Sequence, residues 1–452
     1  MKIIVGGAND ITRSIVSYLS CGNNDIIVID KDEKKLNEIA SEWDILPICG
    51  LVSHPDILKK AEAFSADLLI AATESDEVNM IACQAAHTLF DIPRRIARID
   101  ARGYLKASWG DLFADESLPI DLVFSPEYEI AKTLMNIVKV PGMSAVYSLA
   151  NKKLNLLSFR ITKKSPLVQI PLNRLERAAP GLNIMIVNIT RGGKIIFPTG
   201  EDMLHGGDEI NLLVENSKIE DVVHHFGLEH KANERVVIVG GNKIALYLAE
   251  RLEADDNIIS SKVIDDNLQS AAVLAEQLDK TVVFSGSIMS EAILEETGID
   301  TADALVAVDF EDKDNLVAAM VAKKNGVDNT IALVTERTAN TQIINIGENI
   351  LVDRTSIMMS SILKELRRSS INQAYSLGAA LGEIWEIVID ENSTLVNSSL
   401  QELKLPADSR ICALIRDDEV YFNFSDKNFE VKDRIIFFCA SASIKKAEKV
   451  FV

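Results

Sequence analysis

Cysteine is scarce in this 452-residue chain, and positive charge is outnumbered. The five cysteines, Cys21, Cys49, Cys83, Cys412 and Cys439, form no CxxC pair and no metal-ligand spacing, so they build neither a zinc site nor a disulfide framework. Cys83 and Cys439 sit in apolar runs and read as small core residues. His224-His225 reads as the end of a surface helix. Lysine and arginine number 47 against 67 aspartates and glutamates, a net charge of −20. Phosphate surfaces repel such a chain, which argues against DNA, RNA or an anionic membrane as its partner. No run approaches the ~20 apolar residues of a membrane span. The opening residues show no charged n-region, apolar h-region and cleavage site, so a cytosolic location is expected.

Glycine is missing where it would say most. The sequence opens "MKIIVGGANDIT", an apolar strand running into a turn and a helix-like segment. Dinucleotide-binding folds begin this way, with G-x-G-x-x-G in the turn. The register here is Gly7-Ala8-Asn9-Asp10-Ile11-Thr12, and only the first glycine is kept. Asn9 takes the second position, where it tolerates φ > 0 better than most residues but brings a side chain towards the phosphate. Thr12 is small enough for close helix packing.

What the chain does have is a duplication. "RVVIVGGNKIALYLAERLE" repeats the opening, placing Gly240-Gly241-Asn242-Lys243-Ile244-Ala245 on Gly7–Thr12, 233 residues on. Asp30, ending "DIIVID", answers to Asp265 in "SKVIDD". "DLLIAATESDEVNM" answers to "DALVAVDFEDKDNL", and "IARI" to "IALV". A slowly drifting offset held over five strand–helix units marks a repeat. Within the first, strands near 2–6, 26–30, 45–49, 67–72 and 95–99 alternate with helices near 10–20, 32–42, 55–63 and 76–90. Ser53 reads as the N-cap before Pro55. Alternating βα with nearly all-apolar strands implies an α/β fold, a Rossmann-like doubly wound parallel sheet in each half. After a long helix (126–140) and Pro141-Gly142, each half turns β-rich with Gly-rich turns, an α+β lobe. The polar stretch 227–235 divides the halves.

Candidate binding residues follow from this placement. An acid ending the second strand accepts the hydroxyls of an adenosine ribose, the role open to Asp30 and Asp265, and it favours NAD(H) over NADP(H). The plainer alternative for either is a turn-starting or helix-capping aspartate. Arg98, ending "RIAR", reaches the carboxyl edge of the sheet and is the candidate phosphate contact, with a structural ion pair as its alternative. Thr73 faces the same crevice, and its counterpart is Asp309. Near Val334 the second repeat offers no arginine before Arg337. The fourth motif position, Asp10 in one repeat and Lys243 in the other, predicts a first crevice suited to NAD(H) and a second suited to ADP or ATP. The plainer alternative for Lys243 is a solvated lysine at a helix start.

On "SHPDIL", "DEVNMIACQAAHTLF", "RIARI", the "KLP" near 404–406 and the doubled four-lobe order, the whole chain resembles the TrkA family. These are tandem RCK (KTN) proteins, peripheral nucleotide-binding subunits of Trk-type bacterial potassium uptake systems. The resemblance implies two tandem Rossmann-like N-lobes, each followed by a small α+β RCK C-lobe: 1–140, 143–228, 233–370 and 371–452. It implies NAD(H) or adenine nucleotides (ATP, ADP) on Gly7, Ala8, Asn9, Asp10, Ile11 and Asp30, with Thr73 and Arg98 beside them. In the second lobe it implies Gly240, Gly241, Asn242, Lys243, Ile244 and Asp265. It further implies a TrkH/TrkG-like membrane potassium channel or transporter subunit as partner, a homotetramer on the inner face of the cell membrane, and no catalysis. An apolar stripe on the crossover helix, Ile130, Leu134, Ile137 and Val138, is expected to seek a partner surface, with packing of part of it on its own sheet as the alternative. Two other readings stay open: an assembly scaffold with degenerate sites, and an NAD-dependent oxidoreductase, which the absence of a repeated His or Lys/Tyr pair disfavours.

Overall fold

The computed structural model describes residues 1–20, 24–101, 103–104, 111–113, 117–228, 232–335, 349–367, 371–378 and 381–451. Cys21 and Arg337 lie outside the described residues. The chain divides into two compact units. One is Met1–Glu129 with Thr355–Ser369 and Ala374–Ala379; the other is Ile130–Arg354 with Ser370–Gln373 and Ala380–Val452.

The first unit is built on β1 (Lys2–Gly6), α1 (Asp10–Ser20), β2 (Asp25–Asp30), α2 (Glu33–Glu42), β3 (Leu46–Cys49), α3 (Pro55–Lys60), β4 (Leu68–Ala71), α4 (Asp76–Phe90), β5 (Arg95–Arg98), β6 (Leu122–Phe124) and the start of α5 (Pro126–Lys139). The strands form one parallel sheet in the order β3-β2-β1-β4-β5-β6. Burial on both faces explains their unbroken apolar runs: Ile4, Val28, Ile70 and Ile96 are fully or almost fully buried. The sixth strand, β6, adds to the five read from the sequence. The cap position before Pro55 is His54, not Ser53, and its side chain makes no capping bond.

The second unit repeats the arrangement with β12 (Arg235–Val239), α8 (Lys243–Glu253), β13 (Ser260–Asp265), α9 (Leu268–Gln277), β14 (Val282–Ser285), α10 (Glu291–Thr297), β15 (Ala304–Ala307), α11 (Asp312–Lys324), β16 (Asn329–Val334) and β17 (Ile350–Asp353), before α12 (Arg354–Leu366). The strand order is β14-β13-β12-β15-β16-β17, the same topology. Residues Ile130 to Lys139 of α5 belong here. Asn233 donates to the Val138 carbonyl at 2.9 Å, and Lys139 pairs with Asp255 at 2.6 Å. Ile130, Leu134, Ile137 and Val138 are each at most 1% exposed. The crossover stripe is therefore covered by its own chain, and it is no free face for a second copy.

Two antiparallel sheets make the β-rich lobes. The first, β10-β9-β11-β8-β7, uses β7 (Met143–Leu149), β8 (Leu154–Arg160), β9 (Ile184–Arg191), β10 (Lys194–Ile196) and β11 (Glu209–Glu215), with α6 (Leu175–Ala178) and α7 (Ile219–His225). The second, β18-β19-β22-β20-β21, uses β18 (Ile371–Ser376), β19 (Glu383–Val388), β20 (Ser409–Arg416), β21 (Glu419–Tyr421) and β22 (Arg434–Cys439), and α13 (Ile444–Glu448) follows. Each carries the same bidentate clamp. Arg191 grips Asp208 with two bonds of 2.8 Å, and Arg416 grips Asp433 at 2.8 and 2.7 Å.

Candidate nucleotide crevices

Strand order reverses between β1 and β4, and again between β12 and β15. In open α/β sheets a ligand settles outside the carboxyl ends of the strands at such a switch point. The sequence motifs converge there. In the first unit Gly7 turns the chain with φ +104°, and an added Cβ would meet the Ala72 carbonyl oxygen at 2.8 Å, so only glycine fits. Ala8 donates its N–H to Asp30 Oδ2 at 2.7 Å, while Asp30 Oδ1 accepts from Asp32 N–H at 2.8 Å. The acid at the end of β2 is thereby held against the turn after β1. Helix α2 is capped by Asp32, not Asp30, through bonds from Lys34 and Lys35 N–H.

Asn9 works differently from the expectation. It is absent from the residues with positive φ. Its Nδ2 donates to the Ala72 carbonyl at 2.8 Å and its Oδ1 accepts Thr12 N–H at 3.1 Å. The side chain thus ties the β4 loop to the turn and caps α1. Asn242 repeats this in the second unit with extended backbone (φ −103°), reaching the Val308 carbonyl at 2.5 Å and capping Ile244 and Ala245 N–H at 3.0 and 3.2 Å. Asn serves at this position as a bracket and a cap. The helix-start amides that a phosphate would use are partly satisfied already. Asp10 and Lys243, the first residues of α1 and α8, are exposed; Ile11 is half-buried and Ile244 buried.

Two asparagines not among the expected site residues organise the other wall. Asn79 on α4 is fully buried. Its Oδ1 accepts from the Thr73 amide and hydroxyl at 2.9 and 2.7 Å, and its Nδ2 donates to the Thr73 and Arg98 carbonyls at 3.0 and 2.9 Å. Asn315 on α11 does the same for Asp309 N–H (2.6 Å), the Asp309 carbonyl (2.9 Å) and the Leu333 carbonyl (2.9 Å). The signal was in the sequence: both asparagines fall at the same place in "DEVNM" and "DKDNL". This bracket also fixes the true counterpart of Arg98 as Leu333, one residue before Val334.

The charged residues divide the two crevices. Arg98 donates to Asp100 at 3.1 and 2.7 Å and to Glu127 at 3.0 Å, and is only 8% exposed. It stands in the ion pair that was its plainer alternative. Asp265 is buried, bonded to the Ser270 hydroxyl and, more loosely, to Asn267 N–H at 3.4 Å. A Cβ on Gly241 would fall 1.8 Å from Asp265 Oδ2, so this carboxylate is packed onto the turn itself. Arg354, which no motif indicated, brings a guanidinium to the second crevice. Its Nη2 donates to the Asp309 carbonyl at 3.0 Å. Gly240 turns beside the same loop with φ +115°, and its Cβ would lie 3.1 Å from Asp309 N.

Neither half carries the signature of a metal centre: among the described residues no group of three His, Cys, Asp or Glu side chains could hold an ion. No helix among them is long and apolar enough to cross a membrane. Residues 3–126 and 236–368 match the family model of the TrkA-N domain, and residues 156–227 and 384–452 that of the TrkA-C domain. The Trk system potassium uptake protein TrkA of Azorhizobium caulinodans is 31% identical over 451 residues, covering 100% of this chain and 98% of that protein. Among solved structures the GsuK RCK domain superposes with a TM-score of 0.64 at 16% identity, over 99% of this chain and 95% of that one. The GsuK channel bound to NAD gives 0.62 at 15% identity, over 99% and 78%. Sequence profile, full-length identity and doubled architecture agree: the chain belongs to the TrkA family, named for potassium uptake and not for an enzymatic reaction.

Proposed function

We propose that this chain is a regulatory subunit of a potassium uptake system that binds NAD(H) or an adenine nucleotide in its N-lobes and gates a TrkH/TrkG-like membrane subunit. The carrying observation is the first crevice, where Gly7, Ala8 and Asp30 lock together through the 2.7 Å bond at the switch point of the sheet. A carboxylate held there keeps lone pairs for a ribose diol, and a carboxylate disfavours a 2′-phosphate. The GsuK channel, solved with NAD, is the likeness that brings that ligand to this fold. Lobe boundaries at 1–140, 143–228, 233–370 and 371–452, assembly as a homotetramer and a place on the inner face of the membrane belong to the same proposal.

Calorimetric titration of the full chain with NAD⁺, NADH, ATP and ADP tests it. Saturable binding of at least one of them, with NADH absorbance at 340 nm unchanged over time in the presence of carbonyl substrates, is the expected result. Absence of binding by all four leaves the scaffold reading; steady substrate-dependent NADH oxidation revives the oxidoreductase.

A further inference from the structure

The tip of the β7–β8 hairpin runs against the preferences of its own residues. Leu149 pairs with Leu154, so Ala150 to Lys153 turn the chain. A loop of that length is most often built around a type I turn. Here three residues in succession are left-handed, Ala150 at φ 49°, Asn151 at 54° and Lys152 at 69°, and none of them is glycine. The β9–β10 hairpin gives such angles to Gly192 and Gly193. Asparagine tolerates the region, but alanine and lysine carry a Cβ towards the following carbonyl oxygen and are disfavoured there by about five- to thirtyfold. Ala150 is also buried, so its N–H needs a partner within the protein.

That partner lies in the other β-rich lobe, within the same compact unit. Ala150 N–H donates to Glu386 Oε2 at 2.9 Å, and Glu386, on β19, is itself buried. Arg434 donates to the other oxygen, Oε1, at 2.6 Å, with Asn372 Nδ2 further off at 3.4 Å. Lys153 of the same tip pairs with Asp418 in the turn between β20 and β21. The arrangement runs one way. Three residues past each clamp aspartate, Asn211 lies opposite Ser158 and Ile436 opposite Glu386, so the first lobe has a serine where the second has the carboxylate. Ser158 spends its hydroxyl on Asn211 of its own sheet. We propose that Glu386 is a catch between the two β-rich lobes. Its carboxylate takes the Ala150 amide and holds the hairpin tip in a left-handed form that the tip does not keep alone. A charge-assisted bond is strong enough to select a disfavoured backbone. A movement that parts the lobes breaks this bond and lets the tip relax.

A double-mutant cycle on the full chain, read by hydrogen-exchange protection of the peptide 148–155, tests the catch. In the wild type Ala150→Gly removes the Cβ penalty while the catch keeps the conformation, so tip protection is expected to rise at least about fivefold. Glu386→Ser copies the first lobe and is expected to lower tip protection at least about tenfold, while peptides of β9 and β11 keep theirs. In that background Ala150→Gly is expected to bring no gain, because nothing then requires the left-handed form. Glu386→Gln retains the shape of the side chain and one acceptor oxygen; it is expected to fall between, and it carries the same cycle if the serine variant disturbs β9 or β11. Equal gains from Ala150→Gly with and without Glu386 mean that the tip is left-handed by itself, and they overturn the proposal. So does an absence of gain in the wild type, or tip protection that both Glu386 variants leave unchanged.

Discussion

Asp30→Asn puts the first crevice under the sharpest strain. The wild-type carboxylate accepts Ala8 N–H at 2.7 Å on one oxygen and Asp32 N–H at 2.8 Å on the other. An asparagine keeps one acceptor oxygen, so one of those N–H groups is left facing an amide NH₂. Losing a hydrogen bond to a charged group of this kind costs about 1.5–3 kcal/mol. A ribose diol on the remaining lone pairs loses a similar amount, about 10–150-fold in affinity at 1.4 kcal/mol per decade. Calorimetry with NADH is expected to show Kd rising at least tenfold, and exchange at the Ala8 or Asp32 amide to accelerate. Asp265→Asn is expected to change NADH affinity far less, because that carboxylate is already buried against Ser270 and Gly241. Faster exchange at Ala8 with NADH affinity unaltered would refute the reasoning, since Asp30 would then hold the turn without touching ligand.

The β-rich lobes give an asymmetric prediction. Arg191→Ala leaves Asp208, 2% exposed, without its guanidinium and costs about 3–5 kcal/mol, whereas Asp208→Ala leaves a 37%-exposed arginine and costs less; exchange rates in β9 and β11 rank the two. Burial pushes the Asp208 carboxyl up, but the Arg191 guanidinium and the His205 amide more than offset it, and its pKa ends below the ordinary value. A depressed carboxylate stabilises the lobe above its unfolded pKa, so protection of β9 and β11 should be complete near pH 5–7 and fall as pH drops below about 4 through the folded value. Burial pushes the Cys83 and Cys412 thiols up to about 12, so both should resist a disulfide reagent at pH 8 in the folded protein while exposed Cys49 reacts at once. Asn79→Ala strips partners from Thr73 and the Arg98 carbonyl and should cost about 2–4 kcal/mol by urea unfolding of the first unit; no loss would mean that water replaces the bracket.

Much of the fold was legible because parallel strands covered on both faces leave apolar runs, and because a repeat shows each run twice. What stayed hidden has physical causes. Strand β6 spans only Leu122–Phe124, too short for a periodicity to announce itself. The stripe Ile130, Leu134, Ile137 and Val138 said that one face of α5 is covered, but a helical period carries no record of what covers it. The cover proved to lie in the same chain, where all four side chains are buried. At Pro55 a local rule misled by one residue, since Ser53 suits a cap while the chain enters the helix through His54.

The site was legible as a location and less so as chemistry. Glycine spacing and the terminal acid placed both crevices, yet every side chain there answers to neighbours that only folding supplies. At Asn9 the motif position suggests a side chain directed towards a phosphate; Asn9 and Asn242 instead reach a carbonyl, Ala72 or Val308, that the sequence sets more than sixty residues away. Asn79 and Asn315 read as polar residues in helices, but burial reverses their meaning, because a buried amide must spend its bonds on the backbone. The charge difference first expected at Asp10 and Lys243 lies on exposed residues, where water and salt screen it. The deeper difference is at the sheet edge: Arg98 is paired with Asp100 and Glu127, whereas the equivalent strand end in the second repeat is the buried Leu333. Duplication therefore kept the glycine turn, the terminal acid and the bracketing asparagines, which hold backbone to backbone, and changed the side chain at the edge, which no backbone contact constrains.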